Sequence, residues 1–283
     1  MNIAIAGYGQ EGKVSFDCWN KPENQLTIAD EREQVDNLPE GAMTVLGADA
    51  FSKLGEFDLI VRSPSVNPRK LPYGDKVWSA TNEFFVKCPA PIIGVTGTKG
   101  KGTTSSLIAS ILKAAGKTVH LVGNIGVPAL AELPKINASD IVVYELSSFQ
   151  LWDLKKSPHI AVVLAIEPDH LDVHDDVDDY VNAKTNIARF QNEGDTVVFN
   201  TNNQISSSIA GVSSAKKIGY PYDIGDLENN LQIPGRHNIE NASAAVAATS
   251  EYVSDRSVIG RGLGSFTGLP HRLKFVAEKN GAF

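Results

Sequence analysis

The sequence predicts an α/β fold in two parts, because apolar β-type runs alternate with helix-patterned segments and two of those runs end in glycine-rich turns. The first run, Asn2 to Ala6, enters Gly7-Tyr8-Gly9-Gln10-Glu11-Gly12 and then a short helix through Cys18 and Trp19. Leu26 to Ala29 follows as a second strand ending at Asp30, which makes a βαβ start of the Rossmann kind. The second run, Ile92 to Thr96, enters Gly97-Thr98-Lys99-Gly100-Lys101-Gly102-Thr103-Thr104 and the apolar-periodic helix start Ser105 to Leu112. We therefore expect a Rossmann-like N-terminal domain followed by a P-loop NTPase-like central domain with a mostly parallel sheet. The interruption Cys88-Pro89-Ala90-Pro91 sets the boundary, giving domains of residues 1–89 and 90–283.

Phe57 to Val61 reads as a further strand of the first domain, with the loop Ser63 to Pro68 at its carboxyl end, where open α/β sheets bind ligands. In the second domain Thr118 to Val122, Asp140 to Glu145 and Ile160 to Ile166 read as strands. Val177 to Phe190 and Asn238 to Tyr252 read as helices, the latter supported by its alanine-rich centre, and Leu273 to Phe283 looks like a strand heading into a turn. A chain of 283 residues with 42% hydrophobic and 21% charged residues has the balance of a soluble globular protein with room for two cores. A net charge of -7 opposes non-specific nucleic-acid binding, which needs Lys and Arg to neutralise phosphates. The N-terminus carries neither a basic leader nor a long apolar stretch, so a cytoplasmic protein without membrane insertion is expected. Cys18 and Cys88 lie far apart with no metal-ligand spacing and are expected to be free thiols.

The run Gly97 to Thr104 is a phosphate cradle. Backbone N–H groups freed by the turn and the positive end of the helix converge on an anion, Lys101 reaches a terminal phosphate, and a hydroxyl can hold Mg²⁺. Walker-type loops place Ser or Thr directly after the lysine, whereas here Gly102 stands there and Thr103 and Thr104 follow. The turn Gly7 to Gly12 fits a dinucleotide, a UDP moiety or simple tight packing.

Glu145 ends an apolar strand in the same sheet as the cradle, where a nucleotide-bound Mg²⁺ is its natural partner. The stretch Glu167 to Asp176 gathers acids and two histidines, fit for a divalent ion at His170, which is nearer the strand end than His174; Asp175, Asp176, Asp178 and Asp179 suit a solvated helix start. Lys184 by itself reads as a surface helix lysine. Asn238 and Asn241, three apart at a helix start, can hydrogen-bond a base or cap the helix, and Arg272 sits in a turn where an inter-domain salt bridge or a phosphate contact would suit it.

Taken with Gly123-Asn124-Ile125-Gly126, Glu145 to Leu151, Asp169-His170, Gly235 to Asn241 and Phe266 to Arg272, the cradle resembles the Mur ligase superfamily over essentially the whole chain. Glu145-Leu146-Ser147-Ser148-Phe149-Gln150-Leu151 and Phe266-Thr267-Gly268-Leu269-Pro270-His271-Arg272 resemble its D-glutamate-adding branch.

The resemblance implies ATP-driven amide formation: a carboxylate of UDP-N-acetylmuramoyl-L-alanine attacks the γ-phosphate, and the amine of D-glutamate then displaces phosphate from the acyl phosphate. It implies ATP with two Mg²⁺ ions as cofactors and a monomeric enzyme of peptidoglycan synthesis. Gly97, Thr98, Lys99, Gly100, Lys101, Gly102, Thr103 and Thr104 would bind ATP, with Asn238 and Asn241 facing the adenine and Arg272 the phosphates. Thr103, Glu145, His170 and a carbamylated Lys184 would hold metal, and Lys101, His170 and Lys184 would be catalytic. Gly9, Gln10, Glu11, Asp30, Glu31, Arg32 and Ser63 would surround the UDP moiety, with Asn124, Ser147 and Gln150 along the same substrate.

Three departures accompany the resemblance. Gly102 is more like the folylpolyglutamate synthase branch, and Ala165 and Glu167 stand where the family has Asn and Ser or Thr. The family's third domain, which binds the incoming amino acid, would begin just after Asn280-Gly281, so this chain is expected to lack it and to make no product alone. A folylpolyglutamate synthase-like ligase and a non-catalytic nucleotide-sugar binding protein are the alternatives.

Overall fold

Short runs of β-branched and small apolar residues pair in parallel throughout the computed structural model, which describes residues 1–71 and 73–269. The first layer contains β1 (Asn2–Ala6), α1 (Gln10–Trp19), β2 (Gln25–Asp30), β3 (Met43–Leu46), β4 (Leu59–Arg62), β5 (Val77–Ser79) and α2 (Ala80–Lys87). Its sheet runs β3-β2-β1-β4-β5, so the chain reverses direction across the sheet between β1 and β4. Residues 88–91 then lead to the second layer: β6 (Ile92–Thr96), α3 (Lys101–Ala114), β7 (Val119–Gly123), α4 (Ala129–Glu132), β8 (Ile141–Glu145), α5 (Ser148–Leu151) and β9 (Ile160–Val163). It continues with α6 (Val177–Arg189), β10 (Thr196–Asn200), α7 (Gln204–Gly211), β11 (Lys216–Tyr220), α8 (Arg236–Thr249) and α9 (Arg256–Ser265). The order β11-β10-β9-β6-β8-β7 centres β6 between β9 and β8.

The seven β-strands read from sequence within the described residues are present, and β3, β5, β10 and β11 are additional. Strand β9 stops at Val163, short of the Ile166 expected, because Leu164 N–H turns to Thr96 O (2.9 Å) and Ala165 O turns to Thr98 N–H (3.0 Å). The last sheet bonds thus grade into bonds that hold the glycine loop. The expected strand after Leu273 lies outside the described residues. Cys18 and Cys88 are free, as expected.

One apolar cluster passes from the first sheet to the second through α2, where Phe84 and Phe85 meet Tyr144 of β8 at ring-centroid distances of 5.4 and 5.8 Å. Across the same seam lies Arg62, the last residue of β4, whose side chain is 0% exposed. Its Nε and Nη2 donate to the two oxygens of Asp153 (2.9 and 2.8 Å), Nη2 also to Phe149 O (3.0 Å), and Nη1 to the carbonyls of Ser63, Pro64 and Val66 (3.3, 3.4 and 3.0 Å). Asn82 adds a second link, donating to Asp153 O (2.9 Å) and accepting from Lys155 N–H (2.8 Å).

Removing a buried guanidinium leaves a carboxylate and several carbonyls without donors, so Arg62→Ala is expected to lower stability by about 3–5 kcal/mol. Asp153 is partly exposed, and Asp153→Asn should lose about 1–2 kcal/mol. Urea denaturation of the two variants measures both, and equal small losses would show that the pair does not join the layers.

Candidate functional site

Both sheets place their glycine loops at the carboxyl ends of strands beside a reversal in strand order, where open α/β sheets form crevices. In the second sheet three neighbouring strand ends converge: β6 leads to Gly97, β8 ends at Glu145 and β9 leads to the segment with His170. Gly100 begins α3 in the left-handed region (φ 82°), where an added Cβ would stand 2.6 Å from Asn241 Oδ1, so glycine is needed on both counts. Lys101 Nζ donates to Gly97 O and Thr98 O, both at 3.0 Å. Lys184 Nζ, from α6, donates to the same Gly97 O at 3.1 Å and to Thr96 Oγ1 at 3.3 Å.

Lys184 is therefore no surface lysine, contrary to the reading of that residue by itself: it is 1% exposed, with its ammonium 4.7 Å from the Tyr180 ring centroid. Burial, and then the like charge of Lys101, push its pKa down to about 7. Helical periodicity could have revealed this, since Tyr180, Lys184 and Ile187 share the buried face of α6.

Glu145 is buried, and its Oε1 accepts from Asn124 Nδ2 (3.1 Å). Its Oε2 would lie 3.3 Å from a Cβ at Gly102, so the helix position facing this carboxylate is Gly102, and Thr103 is one residue further round. Thr104 is fully buried and donates to Asn241 Oδ1 (3.3 Å), while Asn241 Nδ2 donates to Asn238 Oδ1 (3.3 Å) and Asn238 to Pro234 O (2.7 Å). The two amides thus join the α8 start to the loop helix. Thr98 is turned the other way, its hydroxyl donating to Glu167 O and accepting from Glu167 N–H, both at 2.9 Å. Lys99 is exposed, and Arg272 lies outside the described residues.

The residues expected around the UDP substrate divide between two clefts that share Ser65 and Val173. Gly9, Asp30, Glu31 and Arg32 line one of about 550 Å³ above the first sheet; Gln10, Glu11, Asn124, Ser147 and Gln150 line the other, about 420 Å³, along the seam. Partial burial pushes the Asp30 carboxyl up, but hydrogen bonds from the Arg32 side chain (2.8 Å to each oxygen) and Tyr8 N–H (2.8 Å) outweigh it and hold the pKa at about 2. Burial raises the Glu11 carboxyl, which accepts from Gln150 Nε2 (3.3 Å). Ser147 and Gln150 form a capping box on α5, which fixes the amide that reaches Glu11. Ser63 does not line either cleft; it is buried and its hydroxyl donates to Gly7 O (2.6 Å), holding the glycine turn from behind.

His170 has φ 54°, is half exposed, and packs its ring 5.1 Å from Phe149, a wall of the seam cleft. His174, by contrast, is fully enclosed between Asp179 Oδ2 (2.8 Å) and Ser148 Oγ (3.0 Å) and stacks on Phe149. Asp176 caps α6 by accepting from Asp179 N–H (2.8 Å), as a helix-start acid should. Sequence reasoning did not find Phe149, Val173 or Lys70, all of which line a cleft; the loop after β4 was the available signal for Lys70.

A glycine loop and lysine pair on a parallel sheet, docked on a Rossmann-like unit, define an α/β protein with a P-loop-like central layer. Residues 95–225 match the Mur ligase middle domain. A UDP-N-acetylmuramoylalanine--D-glutamate ligase of Acetivibrio thermocellus is 38% identical over 83% of this chain and 57% of the relative, and one of Clostridium kluyveri is 36% identical over 99% and 68%. Among solved structures, a UDP-N-acetylmuramate:L-alanyl-gamma-D-glutamyl-meso-diaminopimelate ligase from Neisseria meningitides shares the fold with TM-score 0.64 at 18% identity, covering 95% of this chain and 99% of that one. FolC of E. coli shares it with TM-score 0.52 at 22% identity over 70% of this chain and 62% of that one. The chain belongs to the Mur ligase family, and it spans 57% of the length of the first of these relatives and 68% of the second. Among the described residues no helix is long and apolar enough to cross a membrane.

The folded chain keeps Lys184 neutral below the pH at which the unfolded chain would, so from pH 7 up to the ordinary lysine pKa the unfolded state binds the extra proton. The penalty is full below pH 7 and vanishes as pH rises past the ordinary value. In CO₂-free buffer, stability relative to Lys184→Met should therefore rise between pH 7 and 9; parallel urea midpoints for the two proteins would refute it.

Proposed function

We propose that the chain carries the nucleotide-sugar and ATP sites of an ATP-dependent ligase that joins D-glutamate to UDP-N-acetylmuramoyl-L-alanine through an acyl phosphate. The observation that carries this reading is the continuity of the two clefts, which share Ser65 and Val173 while the seam cleft reaches Asn124, the donor to Glu145. A substrate with its nucleotide above the first sheet could present its carboxyl end toward the phosphate loop. Identity of 36% over nearly the whole chain to a named D-glutamate ligase supports this over the folate-type alternative, whose fold is shared at 22%.

In this mechanism the Gly97 to Thr104 turn and the α3 N-terminus hold the ATP phosphates, and Lys101 moves from Gly97 O and Thr98 O to the terminal phosphate. Asn238 and Asn241 present amides toward the adenine from the α8 start, and Asn124 and His170 lie toward the reacting carboxylate. The neutral form of Lys184 is suited to add CO₂ through its amine lone pair, losing one N–H proton to solvent, and the resulting carbamate would place oxygen donors beside Lys101.

The donor chemistry fits Mg²⁺: Glu145 would offer a hard carboxylate oxygen on the Gly102 face of α3, alongside phosphate oxygens of the nucleotide. When bound, Mg²⁺ would neutralise phosphate charge. A Lys184 carbamate, His170 and Thr103 would make up the second donor group that the family resemblance implies.

Two measurements test these roles. UDP-N-acetylmuramoyl-L-alanine should raise the melting midpoint with concentration while a folate and NAD do not; a shift with NAD alone would overturn the substrate reading. Gly102→Ser would set a hydroxyl beside Glu145 at the cost of displacing the tip of Leu269, 2.9 Å from the new Cβ. It should keep the fold and strengthen Mg²⁺-dependent ADP binding by about threefold to tenfold, read by calorimetry with and without the metal. An unchanged Mg²⁺ increment would place the metal elsewhere.

A further inference from the structure

The rim of the first cleft is crossed by an ion pair. Lys70 ends the short turn Pro68–Lys70 after β4, and its Nζ lies 2.9 and 2.6 Å from the two carboxylate oxygens of Glu31, which follows β2. Because β2 and β4 flank β1 in the sheet, the pair spans the crevice above the Gly7 to Gly12 turn.

The cleft has two lining cations among the described residues, and they are held very differently. Arg32 is fixed to Asp30 through two side-chain nitrogens, and the Asp30 carboxyl is also bonded by the N–H groups of Tyr8 and Arg32, so releasing the Arg32 side chain would strip a buried carboxylate of half its donors and of its countercharge. Lys70 and Glu31 are 51% and 39% exposed, the regime in which a salt bridge is weak and readily exchanged. Asp30, Glu31 and Asp172 leave the cleft rich in carboxylates, which disfavours an anionic ligand unless a cation can be released to it.

We propose that Lys70 is a specificity-determining residue that gives up Glu31 to bind the diphosphate of an entering nucleotide-sugar. Glu31 then acts as a competitor that holds Lys70 across the mouth of the cleft until an anion stronger than a carboxylate arrives. This rests on the reading of the first cleft as the nucleotide-sugar site.

Calorimetric titration of the 283-residue chain with UDP-N-acetylmuramoyl-L-alanine at low and moderate salt separates the possibilities. Lys70→Gln should weaken binding about tenfold and flatten its salt dependence, Lys70→Arg should retain most affinity, and Glu31→Gln should tighten binding by releasing the lysine. All three changes lie on exposed side chains, so melting midpoints should stay close to that of the unsubstituted chain, which verifies the fold. Binding unaffected by Lys70→Gln, or lost as much in Glu31→Gln as in Lys70→Gln, overturns the proposal while leaving the cleft's assignment standing. No binding by the unsubstituted chain overturns the assignment and the proposal together.

Discussion

The buried guanidinium of Arg62 is the constraint on which the geometry of the clefts depends. The loop after β4 leaves its sheet, so the carbonyls of Ser63, Pro64 and Val66 have no ladder partners, and buried carbonyls need donors. Arg62 supplies them from one nitrogen while its other two bind Asp153 and Phe149 in the second layer. A planar fork of fixed geometry can do this where a flexible ammonium could not. Pro64 and Ser65 on one side, and Phe149 and Gln150 on the other, are walls of the seam cleft, so the bonds of Arg62 tie one wall directly to the other.

The second sheet solves a different problem, that of bringing two lysines to one carbonyl. Lys101 and Lys184 both reach Gly97 O, and the cost of that convergence falls on the more deeply buried of them, whose proton is weakly held. Thr98 fixes the neighbouring loop through the backbone of Glu167, and Thr104 fixes α8 through Asn241. Hydroxyls on either side of the loop thus serve as structural ties that fix its shape against the neighbouring segment and α8.

The sequence was most legible where local chemistry alone decides conformation. Glycine turns after apolar runs located both strand-to-loop junctions, and Asp176 was readable as a helix-start acid. It was least legible where tertiary burial decides. Lys184 by residue type reads as a surface lysine; periodicity with Tyr180 and Ile187 points it inward, but its isolation from water comes from β6 and the loop packed over α6. Ser63 has the position of a ligand-binding residue after a strand, yet it faces the back of the Gly7 turn. Single-chain spacing could not distinguish Gly102 from Thr103 as the residue opposite Glu145, because that depends on how α3 is rotated against β8. The two-cleft arrangement was invisible for the same reason: it arises from how one sheet sits on the other.

The same arrangement bears on what the crevice at the Gly7 turn can accept. In a dinucleotide fold the acid after the second strand is left to accept from ribose, but both oxygens of Asp30 are already taken by Arg32, with Tyr8 N–H sharing one of them. The first turn of α1 carries Glu11, a carboxyl raised by burial and turned toward Gln150 in the opposite layer. A ligand pyrophosphate centred on that helix end would meet a carboxyl group, so the favourable course for an anionic substrate runs past it, from the rim held by Lys70 to the seam. The first layer is thereby joined to the second through its clefts: the crevice above the first sheet meets the seam at Ser65 and Val173, and the seam runs on to Asn124, the donor to Glu145.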